Sequence, residues 1–343
     1  MTVPYGKYAM LLVATILVLT AILLLQPIAY VNAQPNPGDY IVVESVSVRI
    51  LSRITPTGTR TVIYDYSVSG PPGVFPDAVA LDSAGNCIVT ETNVISKITP
   101  GGIRTVIYDY SISGPPGTNP NGIAIDSAGN YIVVEEGPDV LSKITPGGTR
   151  TVIGATDPNP DGVAIDSAGN YIVTDTFAGI SKITPSGAKT PIINTPLAGP
   201  RGVAVDSSGN YIVTEVGLNK LTRITPGGAR TVIYDFTLSP PPNHQPYGVA
   251  IDPSGNYIVA EFVAKAISKI TPGGTRTVIY DYAASGPSGA QPISIAIMPA
   301  QPRAVGGIMT PVDKLTILAP YLALVGLVGA VTVVFATKRR RKT

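Results

Sequence analysis

Gly162-Val163-Ala164-Ile165-Asp166-Ser167-Ala168-Gly169-Asn170-Tyr171-Ile172-Val173-Thr174-Asp175 reads as two short strands around a tight turn. Apolar and β-branched residues flank the turn, as strands require. Asp166 can cap backbone amides, and Gly169 suits a positive φ. Close copies of this phrase recur along the chain, each followed by a third strand ending in Ile-Thr-Pro, a Gly-bearing turn and a fourth strand. The Ile-Thr-Pro units start at Ile54, Ile98, Ile144, Ile183, Ile224 and Ile270, so the period runs from 39 to 46 residues. A repeat of about 40–50 residues with four short strands is the signature of a propeller blade.

Residues 121–153 serve as the reference blade. Its strands are expected at Gly122–Ile125, Tyr131–Val134, Leu141–Ile144 and Thr149–Ile153. Other blades start at Ala78, Gly162, Gly202 and Gly248. Two pieces remain incomplete: Asp39–Tyr66 holds only second, third and fourth strands, and Ile293–Met298 only a first strand. Complementary halves at the two ends predict an all-β, six-bladed propeller closed by its terminal strand, which hides sheet edges. A solenoid would need caps instead of matching halves.

The repeat resembles the NHL-type propellers and the related streptogramin-lyase and gluconolactonase-like propellers. The resemblance rests on residues 162–175 and on Lys220-Leu221-Thr222-Arg223-Ile224-Thr225-Pro226-Gly227-Gly228, and covers about residues 38–298. It implies the architecture but not an activity, because such families contain both enzymes and binding modules. Streptogramin lyases rely on histidine together with a metal; this chain has one histidine, His244, and lacks their Gly-Pro-Asp-Gly turn.

Outside the repeats the sequence changes character. Residues 1–33 read as a secretory signal, apolar over 9–29 with Val31-Asn32-Ala33 before a cleavage point, or else as an uncleaved anchor. Residues 34–298 form the propeller and 299–314 a linker. Residues 315–337 read as a transmembrane helix: Leu315–Ala336 is uncharged for 22 residues, about 33 Å at about 1.5 Å per residue. Residues 338–343 form a basic tail that belongs on the cytoplasmic side. The expectation is a single-pass cell-membrane protein with its propeller outside. Formal charge is +2; setting aside Lys7 and the five tail cations leaves about −4, which argues against nucleic acid as a partner. The lone Cys87 excludes an internal disulfide and occupies a slot that other blades fill with tyrosine, so it reads as a packed thiol.

Function is expected on one face. Turns joining strands one to two and three to four barely vary, whereas loops on the opposite, upper face differ in length and content, and divergence of that kind suggests a binding face. The residue after the proline that opens each inner strand is Asp77, Asn121, Asp161, Arg201, Tyr247 and Ile293. Equivalent strands place these six in one ring at the central mouth. Asp77, Asn121, Asp161, Arg201, Tyr247 and the upper-loop His244 are the candidate ligand-binding residues. Asp77, Asn121 and Asp161 supply oxygen ligands suited to Ca²⁺ or Mg²⁺, and gluconolactonase-like propellers hold a divalent ion with similar ligand types. The plainer reading is an Asp161–Arg201 ion pair without a cofactor.

Acids recur at the end of the second strand (Glu44, Glu91, Glu135, Asp175, Glu215, Glu261) and bases on the third (Arg53, Lys97, Lys143, Lys182, Arg223, Lys269). They are expected to form cross-strand architectural pairs. The inter-blade tyrosines Tyr64, Tyr66, Tyr108, Tyr110, Tyr234, Tyr280 and Tyr282 read either as contact area for a ligand or as packing between blades. The sequence thus predicts a module that binds an extracellular protein, glycan or small ligand. Its alternatives are a divalent-metal-dependent hydrolase or lactonase working in the central channel, and a structural envelope component.

Overall fold

Six four-stranded antiparallel sheets account for the repeats among the described residues. The structure is a computed structural model describing residues 36–299 apart from 72, 194–196, 241 and 242. Blade two is representative, with strands Pro76–Leu81, Cys87–Glu91, Val94–Ile98 and Arg104–Asp109 from the channel outward. Blades three to six follow over 119–155, 160–191, 200–235 and 246–281. Blade one is the expected composite. Ala290–Ile297 supplies its inner strand and pairs antiparallel with Tyr40–Val46, matching Tyr40 to Ile297 and Val43 to Ser294. The six inner strands contact one another in ring order, Ala290–Ile297 touching both Pro76–Leu81 and Pro246–Ile251.

The second strands show why this ring is stable. Cys87–Glu91, Tyr171–Asp175, Tyr211–Glu215 and Tyr257–Glu261 are buried at every position. Both faces of each strand pack, so the sequence is apolar at both parities. The core is therefore six wedges, each shared by adjacent blades. One of them joins Ile88, Ile95, Tyr108 and Tyr110 of blade two to Ile123, Tyr131, Val133 and Ile144 of blade three. Cys87 sits in such a wedge, where burial pushes its thiol up to about 12. The uniform turns work as read: Asp126 accepts from the amides of Ala128 and Asn130 and from the Asn130 side chain.

The recurrent acids have different partners from those expected. Ile41 pairs with Arg53, Ile88 with Lys97 and Ile132 with Lys143, so each third-strand base faces an isoleucine. The acids instead meet arginines that open the fourth strand. Glu44 accepts from Arg60 at 2.7 and 2.5 Å, and Glu261 from Arg276 at 2.8 and 2.7 Å. Glu91 with Arg104 and Glu135 with Arg150 make the same contact, while Arg230 reaches both oxygens of Glu215 with Nη2 alone, at 2.6 and 2.5 Å. Ser52, Ser96, Ser142 and Thr222 add hydroxyl donors.

A tyrosine of the preceding blade completes the latch in three places. Tyr66 donates to Glu91 at 2.8 Å, Tyr110 to Glu135 at 2.8 Å and Tyr282 to Glu44 at 3.0 Å. Burial first, then the facing glutamate, raises these phenols well above their ordinary range and keeps them donors. Tyr64, Tyr108 and Tyr280 stack edge-on against them. The tyrosine pairs are thus packing between blades.

The segments 1–33, 299–314, 315–337 and 338–343 lie outside the described residues except for residue 299. No helix among the described residues is long and apolar enough to cross a membrane. The single-pass membrane placement expected from the sequence is therefore not supported.

Removing one arm of the closing latch should weaken the whole ring. Tyr282→Phe is expected to lower stability by about 1–3 kcal/mol, because a buried acceptor loses its donor. Arg60→Ala should cost about 3–5 kcal/mol by leaving Glu44 buried without its fork. Equilibrium urea unfolding of the two variants checks the order, and equal losses would contradict it.

Candidate functional site

Each mouth residue follows a proline that opens an inner strand, and the pairing there is irregular. Pro160 pairs with Asp175, and the ladder resumes only at Val163 with Val173. The same shift occurs at Pro76, Pro120, Pro200 and Pro246. A bulge of this kind re-aims a side chain, here that of Asp77, Asn121, Asp161, Arg201 or Tyr247. The glycine that follows Asn121, Asp161, Arg201 and Tyr247 brings neighbouring inner strands close. A Cβ on Gly162 would lie 2.4 Å from the Arg201 carbonyl oxygen, and one on Gly202 2.4 Å from that of Tyr247. Second-strand threonines fix the same carbonyls: Thr214 donates to Tyr247 at 2.5 Å, and Thr174 donates to Arg201.

The ring opens into a central channel of about 140 Å³ whose lining includes Asp77, Asp161, Arg201, Tyr247 and Ile293. Above it lies a recess of about 300 Å³ bordered by Asp77, Asn121, Glu136, Asp161, Phe177 and Arg201. The mouth is split in character. Blades two to four contribute Asp77, Asn121, Glu136 and Asp161. Blades five and six contribute Arg201, whose guanidinium lies 4.2 Å over the Tyr247 ring, and Tyr247 stacks on Phe262 at 4.5 Å. Arg201 also reaches Asp161 at 3.4 Å. Burial, and then the Asp161 charge, push Asp77 up to about 7 despite the opposing Arg201. Asp161 is raised as well, by burial first and then Glu136, with Arg201 opposing.

For an oxygen-ligated cation the donor set is two carboxylates and one amide. Asn121 commits its nitrogen to the Pro160 carbonyl at 2.9 Å, which leaves its oxygen as the ligand. Arg201 already stands against Asp161. Among the described residues no group of three or more His, Cys, Asp or Glu side chains is placed to hold a metal.

His244 belongs elsewhere. It is fully buried, its Nδ1 2.6 Å from Glu261 and its Nε2 3.2 Å from the Ser239 carbonyl. Phe236 occupies the latch position at this junction and has no hydroxyl, so His244 reaches the glutamate in place of a tyrosine. Burial alone would raise Glu261, but hydrogen bonds from His244 and Arg276 hold it below the usual carboxylate range. The histidine grouped with the mouth in the sequence is a structural latch in the fold.

Glu136, Phe177 and Phe262 were missed as mouth residues. Glu136 and Phe262 directly follow a buried second-strand acid, and this position also varies between blades, as Ser45, Thr92, Thr176 and Val216 show. A second variable ring beside the first was therefore readable.

No protein-family model matches the chain, and neither does any curated protein. Solved structures do resemble it. Virginiamycin B lyase from Staphylococcus aureus is 24% identical, with a TM-score of 0.54 over 71% of this chain and 84% of the lyase. A chain of a nidogen/laminin complex is 16% identical, with a TM-score of 0.63 over 77% of this chain and 99% of the other. A protein of unknown function from Bacteroides caccae is 16% identical, with a TM-score of 0.59 over 76% and 98%. What this chain shares with all three is its fold, the β-propeller whose blades the repeats encode.

Proposed function

We propose that the propeller is a binding module that takes a protein partner on its mouth face. The observation that carries this reading is where the exposed apolar side chains lie. Val68, Phe75, Ile112, Phe177, Leu218, Leu238 and Val263 all sit on the connections of that face, Val68, Ile112, Leu218 and Leu238 within single-turn helices. Ile103 alone among the large exposed apolar residues described lies on a turn of the opposite face, and the others are on outer strands. Apolar side chains gathered around a polar centre fit a protein interface better than a solvated surface. The likeness to a chain of a nidogen/laminin complex supports a protein as the ligand.

The split mouth adds chemistry to the rim. Asp77, Asp161 and Glu136 face one guanidinium, so the mouth carries excess negative charge. A lysine or arginine of the partner would offset the burial, and then the Asp161 repulsion, that raise Asp77, while Tyr247 and Phe262 take an adjacent apolar group.

A second reading, a hydrolase or lactonase using Ca²⁺ or Mg²⁺, draws support from the same Asp77–Asp161 repulsion, which a divalent ion would also relieve. Arg201 competes with such an ion, so this reading ranks behind the first.

Selection of random peptides on the purified protein tests the binding reading. Enriched sequences should carry Lys or Arg beside apolar residues. Their affinity should fall as pH drops below about 7, where Asp77 takes up a proton and loses its charge. Phe177→Asp combined with Leu218→Asp should weaken binding at least tenfold, and Val152→Asp on an outer strand should not. Equal losses from the rim and outer-strand changes would sink the assignment. For the second reading, thermal melting after chelation is expected to rise on adding Ca²⁺ or Mg²⁺ and to lose that rise in Asp161→Ala. An unchanged midpoint would remove it.

A further inference from the structure

The latch between blades three and four is built from different residues, and they leave it incomplete. Thr156 stands where Tyr66, Tyr110 and Tyr282 stand elsewhere. Asp175 replaces glutamate, and Lys189 replaces arginine, while Ser181 keeps the third-strand hydroxyl position. Every reacting arm is shorter or differently shaped. Lys189 turns away to Asp157 at 2.5 Å instead of forking onto the acid.

The consequence is visible in the hydrogen bonds. Thr156 Oγ1, Asp175 Oδ2 and Ser181 Oγ are all buried without a partner. Asp175 is fully buried, and its Oδ1 accepts only a long bond, 3.2 Å, from the Asp157 amide. At the junction of blades two and three, by contrast, Glu135 takes Tyr110, Ser142 and both arms of Arg150. An ionised carboxylate so poorly solvated is costly, whereas a protonated one carries a donor of its own.

We propose that the junction of blades three and four is a proton-binding site, with Asp175 as the proton's seat, and that its ionisation loosens the contact between the two blades. The charged groups around Asp175 are Asp157 on the loop leaving blade three, Lys189 on the outer strand of blade four, and Asp139 between the second and third strands of blade three. Burial chiefly, and then Asp157, push Asp175 up to about 7, against the pull of Lys189. In the unfolded chain the same carboxyl ionises near 3.9. Folding therefore takes up a proton in the window between about 4 and about 7. The stabilisation is fully present below that window and is lost as pH rises through about 7.

Hydrogen exchange of the full chain, corrected for intrinsic rates, tests this with an internal control. Peptides covering 150–157 and 171–177 report the junction of blades three and four; those covering 104–111 and 131–136 report the intact latch of blades two and three. Between pH 5.5 and pH 8, protection at the first pair should fall roughly tenfold relative to the second. Asp175→Asn should abolish that relative change. If Asp175→Asn does not fold, Asp175→Glu combined with Lys189→Arg rebuilds the fork and should abolish it as well. Equal behaviour of the two junctions in the unmodified protein, or a pH dependence that survives either variant, would overturn the proposal.

Discussion

A buried second-strand carboxylate held by donors of its own blade, and at three junctions by a phenol of the preceding blade, is the contact that orients the blades of the ring. Apolar wedges hold neighbouring blades together, but hydrophobic burial is not directional and leaves their rotation open. The latch is directional. It takes a carboxylate fully out of water, which is tolerable only when donors satisfy it: an arginine at every glutamate, joined by a hydroxyl and a phenol at Glu44, Glu91 and Glu135, by Thr222 at Glu215 and by His244 at Glu261. Its members come from the second, third and fourth strands of one blade and from the turn leaving the previous one. A blade that rotated or slipped would strand a charge in the core. Tyr282 and Glu44 carry this constraint across 238 residues of sequence and so close the circle.

The fold was legible because its determinants are local. Asp166-Ser167-Ala168-Gly169-Asn170 specifies a turn by itself, and Ile-Thr-Pro marks the same strand end six times. The two half-blades could be matched by subtraction, since only one missing strand remained for one incomplete sheet. The partners of the acids were harder to read. Proximity in sequence suggested the third-strand bases, but register places isoleucine opposite them, and the true partners lie one strand further out. Even so, the chain carries the signal internally. Arginine opens the fourth strand wherever the acid is glutamate, and lysine does so where it is Asp175. Likewise the only histidine appears beside the one latch position filled by phenylalanine. Covariation among repeats of a single chain reports contact as an alignment would.

The mouth was half legible for a related reason. Its first ring sits between an invariant proline and a small residue, so the odd position stands out. The second ring, holding Glu136 and Phe262, follows the buried acids and looks like the start of a loop. Only the bulge brings both rings to one rim, and a bulge is a property of pairing, not of either strand alone.

Repetition and divergence are divided between the two faces by physical need. Turns opposite the mouth require a capping aspartate and a positive-φ glycine, such as Asp166 and Gly169, so substitution there acts on folding. Mouth positions require only a side chain that clears the channel, because the bulge and the following small residue, aided in three blades by Thr90, Thr174 and Thr214, hold the backbone whatever that side chain is. Chemistry can therefore change at the mouth with little effect on the fold. It has changed with direction: acids cluster on blades two to four, and the guanidinium and stacked rings on blades five and six. A near-symmetric scaffold thus carries an axis of charge across its centre, and a ligand with a cationic end and an apolar end can lie along that axis in only one sense.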